Sequence, residues 1–159
     1  MGRGRLVDFR GNRHHMYTKI TPQITLEGAT VILRAVLDEA RRRGAELTVA
    51  VVDAGGHLVA LARTDGAEIQ TVPIAERKAR NAAFTGVPTG PKSKAGNVGS
   101  DHHLLAITLA AGVENVVTVQ GGVPILIEGR CVGGVAVSGA AHADGEIAAV
   151  GAAAVAGQT

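Results

Sequence analysis

The chain has 159 residues, 46% of them apolar, enough for one domain that buries about 70% of its unfolded surface without covalent staples. Its single cysteine, Cys131, excludes an internal disulfide and the multi-cysteine zinc patterns. The formal charge of +2 is unevenly spread: residues 1–19 hold five basic residues against Asp8, a net of +4, which leaves −2 for residues 20–159. Positive charge confined to a tail, in a chain with no tryptophan, one tyrosine and two phenylalanines, lacks the basic face and stacking platforms of a nucleic-acid binder. The longest apolar run, Ile147 to Gly157, falls short of the ~20 residues that cross a bilayer, and no apolar leader core precedes the domain. Neither nucleic acid nor membrane is therefore expected as a partner, and the cytoplasm is the expected location.

Residues 1–20 read as a flexible basic N-terminal arm, followed by a single domain over 21–159. The first helix is expected to start at Thr21-Pro22, where threonine caps and proline suits the first turn. Its buried face would be Leu26, Ala29, Leu33, Val36, Leu37 and Ala40, with Arg41, Arg42 and Arg43 complementing the helix dipole and Gly44 closing it. Leu47–Asp53 and His57–Arg63 form a hairpin around Ala54-Gly55-Gly56. A second helix runs from Thr71–Pro73 to about Phe84, with Ile74, Lys78 and Ala82 on one side. Residues 85–100 have no periodicity and are rich in Gly, Pro and Ser, as functional or mobile loops are.

A short helix capped by Ser100 or Asp101 carries His102 and His103 and ends at Gly112. Val116–Gln120 reads as a third strand. The segment GGVPILIEGRCVGGVAVSG (121–139) supplies a fourth and fifth, and an Ala-rich helix from about Ala143 to Ala156 ends the chain. Consecutive hairpins with flanking helices define an α+β fold on an antiparallel sheet. The glycine pairs do not stand between a strand and a helix, so they are not a dinucleotide fingerprint.

Three blocks carry a family resemblance: VVDAGGHLVALARTDGA (51–67), AERKARNAAFTG (75–86) and GGVPILIEGRCVGGVAVSG (121–139). In this order they resemble the GlcG/HbpS-like haem-binding family, to which the C-terminal domain of PduO-type corrinoid adenosyltransferases also belongs. The similarity spans roughly residues 20–157. It implies a profilin-like fold, a five-stranded antiparallel sheet flanked by helices. It also implies haem as a cofactor, and homo-oligomers from dimer to octamer. After Ser138-Gly139 this chain reads Ala140-Ala141-His142-Ala143-Asp144, where many relatives have a Gly-rich turn with a Gln-Asp pair; Asp144 corresponds to an acid at the start of the last helix.

The residues leave three functions open. The first, which rests on the resemblance, is binding of haem or a related small ligand in a cleft flanking the sheet, with His102, His103, His142, Gly121 and Gly122 as ligand-binding candidates. Imidazoles are largely neutral at pH 7 and able to ligate iron, and glycines permit close approach of a flat ligand or of a partner backbone, or else mark a bulge. The second is a cofactor-independent isomerase or tautomerase acting on a small keto or hydroxy carboxylate. There Lys78, Arg63 and Asp53 would be catalytic, a cation pair holding the carboxylate while a carboxyl group moves the α-proton. The third is an accessory structural oligomer without catalysis. No metal site is assigned, since His102 and His103 are adjacent and point about 100° apart on a helix. His57 reads as a surface residue bonded to its own turn, and Cys131 as a core residue.

Overall fold

The computed structural model describes residues 20–157; the N-terminal arm expected over residues 1–19 lies outside them. The elements are α1 (Leu26–Arg43), β1 (Thr48–Asp53), β2 (Leu58–Arg63), α2 (Thr71–Thr85), α3 (Asp101–Ala111), β3 (Gly122–Ile127), β4 (Arg130–Ser138), a single 3-10 turn (Ala141–Ala143) and α4 (Asp144–Ala156). The strands form one antiparallel sheet in the order β2-β1-β4-β3.

Among the described residues the sheet therefore has four strands rather than five. Val116–Gln120, expected as a strand, is irregular. Side chains of α2 bind this stretch and the turn before it: Asn81 Nδ2 donates to the Val117 carbonyl at 2.9 Å, and Arg80 Nη1 to that of Glu114 at 3.2 Å. The start of β3's outer edge is also occupied. Thr89 N donates to the Gly122 carbonyl at 2.9 Å, and Gly122 N to Thr89 Oγ1 at 2.9 Å.

The first helix starts later than Thr21-Pro22 suggests. Ile24 N donates to the Val132 carbonyl at 2.8 Å and Gln23 Oε1 accepts from Ala54 N at 2.9 Å, so residues 23–24 are held extended against the sheet. Thr25 is the cap, accepting from Gly28 N at 3.1 Å. The buried stripe is accordingly turned toward Ala29, Ile32, Val36 and Ala40, while Leu26 is exposed. The last turn is more than a dipole complement. Arg43 binds buried Glu39 and also Glu146 on α4, 2.9 Å away, while Arg42 contacts Glu39 and Arg41 binds Asp38 at 2.6 Å.

Strand alternation divides the core into two unlike halves. Val49, Val51, Val135, Val137 and Ile125 pack against Ile32 and Val36 of α1 and Ile147 and Val155 of α4. On the opposite face Ala50, Val52 and Ala136 meet Ala75, Ala79 and Ala83 of α2. Small side chains on both partners let α2 lie directly on the sheet. A Cβ on Gly134 would overlap the Ala79 carbonyl oxygen, and one on Gly122 the carbonyl oxygen of Lys78. At these two glycines the close approach is that of the chain's own helix backbone.

Candidate functional site

Lys78 stands in the middle of α2, whose inner face is alanine, and it is buried to 3% exposure. Its side chain runs to the end of the sheet where β4 leads into α4. There Nζ donates to the Val137 carbonyl at 3.1 Å and to Asp144 Oδ2 at 2.7 Å. Asp144 opens α4 and is itself buried; its Oδ1 accepts from Ala140 N at 2.8 Å. The pair thus joins helices on opposite faces of the sheet. Gly121 (φ +127°) leaves it room, because a Cβ there would lie 2.7 Å from Nζ. Next to it Ala141 holds φ +51°, a left-handed conformation costing a non-glycine residue roughly 1–2 kcal/mol. This kink precedes His142.

Three concave surfaces surround this end of the molecule. The largest, about 760 Å³, lies between α3, the loop after α2 and residues 116–118; His103, Leu104, Ile107, Pro88 and Val117 line it, with Lys92 and Lys94 also on its wall. A second, about 630 Å³, shares the wall formed by residues 87–94 and is bounded by Gly121, Gly122, His142, Gly145 and Glu146. The third, about 340 Å³, is the opening above the ion pair, where Lys78 and Asp144 face Thr118, Gln120 and His142.

The residues singled out from sequence fall into separate places. His103 lines the largest groove, and His142 the other two, together with Gly121 and Gly122 in the second. His102 is exposed and lines none of the three. Lys78, Arg63 and Asp53 do not converge. Arg63 is exposed on edge strand β2 opposite Thr48, whereas Asp53 ends β1 five residues further on, a strand distance of about 17 Å. Asp53 Oδ1 accepts from Gly55 N and His57 N at 2.8 and 2.9 Å, which makes it the organiser of the hairpin turn. Asp144, the acid at the start of the last helix, is the partner of Lys78. A lysine on an otherwise alanine helix face was the available signal that this cation is buried. Thr118 and Gln120 were missed because their segment was read as a strand. Among the described residues no group of three or more His, Cys, Asp or Glu side chains is placed to hold a metal ion, and no helix is long and apolar enough to cross a membrane.

A single antiparallel sheet with helices on both faces, and grooves beside the entry to its last helix, defines an α+β protein. The chain belongs to the HbpS-like family: the model described as haem degrading protein HbpS-like matches residues 24–154. It is 32% identical to protein GlcG of Escherichia coli K12 over 123 residues, 77% of this chain and 85% of that protein. A double mutant of Streptomyces reticuli HbpS is 30% identical, with a TM-score of 0.68 over 96% of this chain and 97% of that one. Klebsiella pneumoniae protein ORFY shares the fold at a TM-score of 0.78 and 22% identity, over 90% of this chain and 97% of its own.

Proposed function

We propose that this protein binds haem, or a flat tetrapyrrole like it, in the groove of about 760 Å³ beneath α3, and that it does so as a homo-oligomer. The observation that carries this reading is the lining of that groove, where aliphatic side chains such as Leu104, Ile107 and Val117 alternate with polar ones around one imidazole, His103, in a chain of the HbpS-like family. The residues suit the group chemically. Aliphatic walls accept a flat apolar macrocycle, imidazole is a haem-iron ligand, and the ammonium groups of Lys92 and Lys94 match peripheral carboxylates. Haem bound there supplies an iron centre whose ligand and redox behaviour its axial group tunes. His103 itself is set in the first turn of α3, its N–H donating to the capping hydroxyl of Ser100 at 3.3 Å.

Titration with hemin is expected to saturate near one equivalent per chain with a shifted Soret band. His103→Ala is expected to weaken binding at least tenfold and alter the band, and His142→Ala to leave both unchanged. Non-saturating binding, or indifference to His103→Ala, would overturn the assignment.

Self-association is supported by α3. None of its residues is buried, and Leu105, Ile107 and Leu109 are 60%, 43% and 67% exposed. Residues 104–113 carry no charge. A helix apolar on all sides belongs inside a structure, and an uncharged face is complementary to a second copy of itself. A copy seated on α3 would also cover the groove that His103 lines. Leu105→Glu with Leu109→Glu is expected to reduce the assembly to monomers in sedimentation velocity, while far-UV circular dichroism stays the same. A wild-type protein that sediments as a monomer at all concentrations would sink the self-association.

A further inference from the structure

We infer that the opening above the Lys78–Asp144 pair is a second binding site, one that takes a small carboxylate. The hydrogen-bond inventory of the pair points there. Asp144 is supplied at both oxygens, by Ala140 N at Oδ1 and by Lys78 at Oδ2. An ammonium has three N–H groups, and Lys78 uses two of them, on Asp144 and on the Val137 carbonyl. The third has no partner among the described residues, and Lys78 lines the cavity of about 340 Å³. The unspent capacity of this buried, neutral pair is thus a charged donor.

Around it stand the Thr118 hydroxyl, the Gln120 amide and the His142 ring, none of which bonds another described residue. Each supplies an N–H or O–H as well as an acceptor. Four donors of which one is cationic fit an acceptor-only group, and a carboxylate bonded by a charged donor is the stronger match for it. The volume, less than half that of the groove beneath α3, suits a compact anion rather than a macrocycle.

A purely structural role accounts less well for these features. Burying an ion pair is costly, and an apolar pair of the same shape stabilises a core as well or better. Here the pair is placed under an aperture. Two backbone concessions surround it, the left-handed Ala141 and a glycine at 121 without which Nζ would be obstructed. Local strain of this kind clusters at ligand sites.

The site uses neither His103 nor α3 and meets the groove beneath α3 only at Pro91 and Thr118, so Gln120, which does not line that groove, separates the two readings. Calorimetric titration of the full chain with pyruvate as probe, and sulfate as the anion control, tests it. Saturable uptake of one pyruvate per chain is expected, with sulfate at least tenfold weaker. Lys78→Met combined with Asp144→Asn removes both charges together and is expected to abolish the binding. Gln120→Leu, at an exposed position, is expected to weaken it roughly tenfold, the worth of a bond to a charged ligand, while hemin uptake stays at the wild-type level. Absence of saturable pyruvate binding, equal binding of sulfate, or pyruvate affinity unaltered in Gln120→Leu would each overturn the proposal, without bearing on hemin.

Discussion

Lys78→Met is expected to lower the free energy of unfolding by about 3–5 kcal/mol, the cost of leaving one member of a buried pair behind. The sign follows from where the charge is left. Lys78 has 4% side-chain exposure and Asp144 has 7%, so a lone Asp144 carboxylate keeps a single backbone donor, Ala140 N, and little exposure. Methionine fills much the same volume as the lysine stem, so loss of packing contributes little. Adding Asp144→Asn to Lys78→Met is expected to recover most of the loss, because no ion then remains buried. Urea unfolding of the two single variants and the double variant measures this as a double-mutant cycle. Additive effects would show that the two side chains are not coupled.

Gly134→Val is expected to destabilise by about 3 kcal/mol or more, near the upper end of overpacking effects. Gly134 pairs with Val52 on one side and with Pro124 on the other, in the middle of the sheet. It faces α2 so closely that any Cβ would overlap the Ala79 carbonyl oxygen, with Ala83 N a further 3.0 Å neighbour. The obstacle is helix backbone and cannot rotate aside. Relief requires α2 to lift from Ala50, Val52 and Ala136, which would also withdraw Lys78 from Asp144. The same experiment with Gly129→Ala is the control, since nothing lies within 4 Å of that position; only the strain of its positive φ applies there. A Gly134→Val variant as stable as the wild type would show that α2 is not seated as described.

These two cases mark how far the residues alone reach. The helices, the β1–β2 hairpin and the β3–β4 pair were legible because each rests on local signals. Arg41–Arg43 before Gly44, Ser100 before Asp101 and glycine at the turns act within a few residues of themselves. Val116–Gln120 reads as a strand because its β-branched residues are suited to one, while it is held by Asn81, and the turn before it by Arg80, each more than thirty residues away. The glycines at 122 and 134 were visible as an anomaly. What approaches them was not, since no local rule says which helix lies on which face.

The sequence by itself determined the fold class, the order of the elements apart from the strand expected at Val116–Gln120, and the family, because hydrophobic period, caps and turn residues are short-range properties written in adjacent positions. It also named Lys78, His103 and His142. Only the tertiary structure decided how these residues are grouped. It put Lys78 with Asp144, 66 residues apart, placed His103 and His142 in different grooves, and left Arg63 and Asp53 at opposite ends of a hairpin. The physical reason is that burial and pairing depend on which surfaces meet across the sheet, and chain spacing carries no record of that distance.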